Sequence, residues 1–421
     1  MSSMWRLPEE IQVDIFLRLP VNSILSCRCV CKPLCSLLSK PSFIKNHLNR
    51  SIQTNNRNPR LMFDHSRYHQ HKNPIINSVD YNSISSSAVS EVKVVTMAYP
   101  FEKRNTKDIL ILGSCDGIIC LGISSYGNGI DQKNRICIWN PATGEFMNIK
   151  LPLSELRGKS SYFFRYGFGY DINIDDYKLV RISGYENCPG KKIEVYRLGS
   201  ECWRTVQSTD PCIFLGSNCW KTMQSAEPYI FSGRGSLHGV LINGVLHWSG
   251  ATATTVGTST KLIVCFDINS EILMDIPFPE ETILPLQNCI TRREVGMFGN
   301  CLCVVFSIIE IRTDIWVMQD YGVRESWTKV FTTTQQTITR DPFFKPIWSF
   351  ENGDILVHSC KKLTLCNDNN GNTTRKVLFD GINMGSYPES YVESLVSFKS
   401  RTYVKQKPTN HNKKKPKRQR T

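Results

Sequence analysis

The chain reads as a small all-α head followed by an all-β, propeller-like domain of about six blades. Three observations predict this. Residues 7–48 are dense in Leu, Ile, Val and Cys at helical spacing and are cut by prolines. From Ile109 onward, β-branched runs alternate with tight Gly turns in successive units roughly 50–75 residues apart. The segment YVESLVSF near the C-terminus suits pairing with strands lying between RLMF and VKVV, ahead of the first of these units. Such pairing closes a ring and removes exposed sheet edges. A β-sandwich is the competing architecture, because several strands are short.

In the head, Pro8 suits a helix first turn, where its missing N–H has no partner to lose. Glu9 and Glu10 complement the positive helix end. Leu7, Ile11, Ile15 and Leu19 recur at helical spacing until Pro20 ends the helix. A second helix runs through Ile24, Leu25 and Val30 and stops before Pro33. A third carries Leu34, Leu37 and Leu38 and ends at Pro41; Phe43, Ile44 and Leu48 begin another turn or two. So small a unit buries little surface alone and is expected to dock on a partner or on the next domain. Cys27, Cys31 and Cys35 fall four residues apart, with Cys29 off that face. No second thiolate pair follows at zinc-site spacing, so buried thiols are expected and no metal or other cofactor.

Residues 1–50 are thus the head, and 51–108 a polar linker with the first strands of the β domain. In this linker His65, His69 and His71 have polar neighbours and read as a surface loop. Residues 109–398 form the repeated β body. One half of each unit is a strand, a tight turn and a strand: CDGIICL from Cys115, INGVLHW from Ile242, FGNCLCV from Phe298 and ENGDILV from Glu351. Asn-Gly and Asp-Gly fit the positive φ angles of two-residue hairpins. The other half is a strand ending in a polar turn: RICIWNPATGEF, KIEVYRLGSECW, KLIVCFDINSEI and DIWVMQDYGVRESW. YGFGYD…DDYKLVRI completes the second unit, which makes five units before the closing blade. Trp139, Trp203, Trp248, Trp316 and Trp327 recur near strand ends, where packing between blades accounts for them. Cys120, Cys137, Cys265, Cys301 and Cys303 sit in apolar runs and read as small buried hydrophobes.

The net charge of +14 looks like an electrostatic footprint for nucleic acid until it is located. Residues 399–421 hold 10 Lys and Arg and no acid, so +14 falls to +4 without them. This basic tail is expected to be disordered. Its run Lys413, Lys414, Lys415, Lys417, Arg418 and Arg420 reads as a nuclear import signal. No specific nucleic-acid partner and no membrane are expected. The longest apolar run, Cys301 to Ile309, is about half of what a membrane span needs. No basic flank followed by an apolar stretch opens the chain, so nucleus and cytoplasm are the expected compartments.

Catalytic constellations do not surface. There is no H-E-x-x-H, G-x-S-x-G or Walker A run, and Gly233, Gly235 and Gly239 miss the dinucleotide spacing. His238 and His247 flank a hairpin, and His247, beside Trp248, reads as a core or turn residue rather than a base.

The head segment LPEEIQVDIFLRLPVNSIL…RCVCK…LLSKPSFIKNHL resembles the F-box, in the form common among plant F-box proteins. The resemblance implies that Leu7, Pro8, Ile11, Ile15, Leu19, Pro20, Val21, Ile24, Leu25 and Val30 form the surface docking on a Skp1-like adaptor, and through it on cullin-1. Pro33, Leu34 and Cys35 stand where many plant members have Trp-Arg-Ser. GSCDGIICL, IWNPATGE, YGFGYD…DDYKLV, GVLINGVLHW, CFDINSE, ESWTKVF and YVESLVS are similar to landmarks of the F-box-associated domain, often grouped as F-box/kelch-repeat. The Gly-Gly pair of true kelch repeats is missing here. The implied function is a non-catalytic substrate-recognition subunit of an SCF-type (Skp1–cullin–F-box) ubiquitin ligase, binding an unidentified protein substrate. Within the family, the head and basic tail look like the plant members that restrain defence through immune-receptor turnover. The pollen S-locus type, which targets ribonucleases, and a non-ligase scaffold or lectin-like propeller are the rivals.

Overall fold

In the computed structural model, the prolines of the head set its helix boundaries. The structure describes residues 7–53, 59–64, 75–86, 92, 94–99, 106–125, 135–151, 162–185, 192–206, 221–222, 229–231, 237–253, 259–282, 290–334, 336–340, 344–350, 352–359, 362–367, 374–377 and 388–398. Helix α1 spans Glu9–Leu17 behind Pro8, and α2 spans Val21–Arg28 behind Pro20. Helix α3 covers Lys32–Leu38 with Pro33 in its first turn, and α4 covers Pro41–Gln53. α4 is the longest of the four at 13 residues, where the pattern had promised only a turn or two. Pro41 opens this helix, since a first-turn proline has no intrahelical N–H to lose. Phe16, Ile24, Leu34, Leu38, Phe43 and Ile44 fill the space between the helices.

The polar stretch after the head carries strands of its own. It supplies β1 (Arg60–Asp64), β2 (Ile76–Asp80), α5 (Tyr81–Ser86) and β3 (Val95–Thr96), most of a first blade. Of the VKVV stretch Val95 pairs, together with Thr96, and Lys93 lies outside the described residues. The second blade is β4 (Thr106–Cys115), β5 (Ile118–Ser125), β6 (Arg135–Trp139) and β7 (Phe146–Ile149). The third is β8 (Tyr162–Asp171), β9 (Asp176–Tyr185), β10 (Lys192–Arg197) and β11 (Cys202–Thr205).

The fourth blade is larger. It has β12 (Lys221–Thr222), β13 (Tyr229–Phe231), β14 (Val240–Ile242), β15 (Val245–Ala253), β16 (Ser259–Asp267) and β17 (Leu273–Pro277). Both β13 and β14 pair with β15. The fifth blade holds β18 (Thr291–Phe298), β19 (Cys301–Ile308), β20 (Arg312–Met318) and β21 (Trp327–Thr333). α6 (Gln336–Thr339) leads to the sixth: β22 (Lys345–Ser349), β23 (Asp354–Ser359), β24 (Lys362–Asn367) and β25 (Thr374–Val377). Finally β26 (Glu389–Tyr391) returns to β1, with Arg60 opposite Tyr391, and closes the ring in the order β26-β1-β2-β3. This is a six-bladed propeller.

The packing rules out the sandwich, which would hold one core between two sheets. Here the apolar residues gather between neighbouring blades. Along β9, Leu179 packs towards the second blade and Val180 towards the fourth. Along β5, Cys120 faces the third blade and Leu121 the first. Successive side chains leave a strand on opposite faces, so a blade covered on both sides needs an unbroken apolar run. That is why GIICL and LIVCF lack alternation. Trp139, Trp248 and Trp316 are buried in these interfaces, and Trp203 Nε1 donates across one to the Lys150 carbonyl at 2.9 Å.

Charge too is buried between blades. Between the third and fourth blades, fully buried Lys178 pairs with Asp171 and with Glu271 at 2.6 Å, and donates to the Ile268 carbonyl at 2.7 Å. Arg197 and Arg204 approach Glu271 from outside. Meeting opposite charges and a carbonyl offsets the cost of burying such an ammonium.

Candidate docking surface

Four-residue spacing on α1 and just ahead of it puts Leu7, Ile11 and Ile15 in one line. They are 39%, 49% and 40% exposed, while Phe16 on the opposite side enters the core. Val30, in the turn after α2, is 72% exposed. Pro8 and Pro20 are exposed as well, and Leu19 and Leu25 are half-buried. Val21 and Ile24 are different: at 5% and 0% exposure they pack inside the head. The resemblance places both in the docking set, whereas in this structure α2 turns that face towards α3 and the propeller. The remaining eight residues are at least partly open to solvent.

Exposed ion pairs border the stripe. Arg18 pairs with Asp14 at 2.6 Å, Arg50 reaches Asp14 at 3.5 Å, and Lys40 meets Glu9. An apolar centre with a charged rim is the usual anatomy of a protein–protein contact. The head thiols need correcting, for Cys29 and Cys35 are exposed and Cys27 and Cys31 half-buried. Short helices leave too little interior to hide all four.

A second polar constellation lies in the channel lined by the first strands of the blades. Glu389 on β26 meets Lys345 of the sixth blade at 3.3 Å and His238, just before β14, at 3.2 Å. Burial would raise the Glu389 carboxyl, but the Lys345 ammonium and His238 outweigh it and hold it at about 2. A cavity of about 90 Å³ beside them is lined by Ser114, Phe168, Met297 and Ser390 among others. Carboxylate and ammonium neutralise each other here, so the cluster ties three blades across the channel. Sequence reading missed it: Lys345 and Glu389 lie in no motif, and they meet only when the ring closes.

His247 is a core residue. Its Nδ1 lies 3.0 Å from the Val240 carbonyl and its Nε2 2.9 Å from the Tyr321 hydroxyl. Burial pushes its pKa down to about 4. With both nitrogens engaged by the fold, it is not placed to act as a base. The histidines His65, His69 and His71, and the basic run from Lys413 to Arg420, lie outside the described residues.

Comparison with known proteins covers both parts of the chain. A family model described as the F-box associated beta propeller domain matches residues 60–401, and an F-box-like model matches residues 4–50. F-box protein CPR1 of Arabidopsis thaliana is 29% identical over 412 residues, covering 93% of this chain and 88% of the relative. F-box/kelch-repeat protein At3g23880 of Arabidopsis thaliana is 27% identical over 376 residues, covering 88% and 90%. Among solved structures, a chain of a nidogen/laminin complex gives a TM-score of 0.41 at 9% identity, covering 80% of this chain and 99% of that one.

Proposed function

Because the chain belongs to the F-box proteins that carry an F-box-associated β-propeller domain, we propose that it is the substrate-recognition subunit of an SCF-type ubiquitin ligase. The head docks on a Skp1-like adaptor and through it on cullin-1. The propeller holds a target protein for ubiquitination and proteasomal degradation. One observation carries this reading: the matched F-box segment keeps Leu7, Ile11, Ile15 and Val30 in solvent while its other face is packed. The chain does no bond chemistry itself. It raises the effective concentration of target lysines beside the charged conjugating enzyme.

Adaptor capture tests the reading. An Ile15→Asp or Leu19→Asp chain would place an unpaired carboxylate in an apolar contact, and losing a hot-spot contact costs about 2–4 kcal/mol. Co-purification with a recombinant Skp1-type adaptor is expected to fall about a hundredfold while the propeller stays folded. Native capture by both variants overturns the assignment.

The finer reading, restraint of plant defence through immune-receptor turnover, is supported by the resemblance in head and tail. The protein works in nucleus and cytoplasm, with the run from Lys413 to Arg420 as import signal. Deleting residues 413–421 from a fluorescent fusion is expected to move it towards the cytosol. An unchanged nuclear signal removes the import role.

A further inference from the structure

Beyond β26 the described chain continues as residues 392–398 without helix or strand, yet Leu395 and Val396 are buried. They belong to the same apolar cluster as Phe16, Val21, Ile24 and Leu34 of the head and Leu112, Ile138 and Phe168 of the propeller. The segment therefore runs between the two parts and touches both.

Its backbone is held by one buried side chain. Asn140, in the turn after β6, donates from Nδ2 to the Ser394 carbonyl at 3.1 Å and to the Val396 carbonyl at 2.8 Å. Its Oδ1 accepts from the Ala142 N–H at 2.9 Å and the Thr143 N–H at 3.4 Å, so the amide that grips the segment also shapes its own turn. Both faces of the amide are used. That chemistry needs an acceptor and two donors on one short stem, which only Asn supplies at this reach.

Further ties run alongside. Ser397 Oγ donates to Glu145 Oε1 at 2.7 Å, and Ser394 Oγ donates to the Asp116 carbonyl. The segment lies so close over the Asp116–Gly117 turn that a Cβ on Gly117 would come within 2.6 Å of Ser394 Oγ and 2.8 Å of the Val392 carbonyl. From the other side, Asn22 of α2 donates to Glu393 at 3.3 Å. Lys45 of α4 reaches Asp175, in the turn between β8 and β9, at 3.5 Å.

We infer that Asn140 is a positioning residue: by fastening segment 392–398 to the second blade, it sets the orientation in which the head stands on the propeller. A bound target then sits at one fixed attitude to whatever grips the head. That consequence for ubiquitin transfer rests on the adaptor reading above; the clamp itself does not.

The Lys45–Asp175 pair offers a readout of orientation, because a carbodiimide joins an amine and a carboxylate only when they touch. In the full-length chain, Asn140→Ala is expected to lower the Lys45–Asp175 cross-link yield at least fivefold. Hydrogen exchange in peptides covering 392–398 and 21–28 is expected to rise at least tenfold, with exchange in 301–308 unchanged. Native cross-linking and exchange, or a change confined to the 140–145 turn, overturns the inference. Should Asn140→Ala unfold the propeller, Asn140→Asp, which keeps the acceptor for the Ala142 and Thr143 N–H groups and loses both donors to the segment, is expected to give the same pattern, and native behaviour there overturns it equally. Adaptor capture run on the unaltered chain separates the two claims: its failure defeats the ligase reading and leaves the clamp to be judged by cross-link yield alone.

Discussion

On β15, the His247 ring hydrogen-bonds through both nitrogens inside the interface between the fourth and fifth blades. Burial lowers its pKa from 6.5 to about 4, so below pH 6.5 the unfolded chain binds a proton that the folded chain refuses. Stability from this group is complete above pH 6.5, declines as the pH falls towards 4, and then levels off. The full effect is on the order of 3 kcal/mol. Glu389 acts in a separate window. Its folded pKa of about 2 lies below the ordinary 4.5, so its contribution is present above 4.5 and disappears between there and 2. Urea titrations from pH 7 to 4.5 should show a falling midpoint in the native protein and a shallower fall in His247→Gln. Parallel pH profiles would contradict a neutral, buried ring.

Turns were the most readable elements. Asp116–Gly117 and Asn243–Gly244 each have two consecutive positive φ angles, 51° and 81° in the first and 51° and 77° in the second. Cys115 faces Ile118 and Ile242 faces Val245 across them, as two-residue hairpins require. A Cβ on Gly244 would sit 3.0 Å from Asn269 Nδ2 besides adopting a left-handed backbone. Gly244→Ala is therefore expected to destabilise the protein by about 1–2 kcal/mol in chemical denaturation. A variant as stable as the parent would show that this turn tolerates a side chain. A strand as short as β12, two residues, was not legible, because its pairing depends on β17, a neighbour far along the chain. The same limit hid the length of α4. Its polar positions Lys45, Asn46 and Arg50 look like loop residues until one face meets α1 and the propeller.

For the whole molecule, the three residues of β26 matter out of proportion to their number. They complete the first blade, and Glu389 links it to the fourth and sixth through His238 and Lys345. Truncation after Pro388 should expose β1 as an open edge and separate the sixth blade from the first. The expected outcome is a protein that aggregates or loses its single cooperative transition in calorimetry, and a truncated chain that melts like the parent would show that the ring does not need this strand. The amino-acid sequence by itself determined the division into helical head and repeated β body, the hairpin turns, and the apolar stripe Leu7-Ile11-Ile15, because each is written in residues within a turn or two of one another. Only the tertiary structure decided that Val21 and Ile24 face inward, that Lys178 is matched by Asp171 and Glu271, and that Asn140 holds segment 392–398 under the head. These contacts join residues up to 256 positions apart, and no local pattern encodes a partner that chain folding alone brings near.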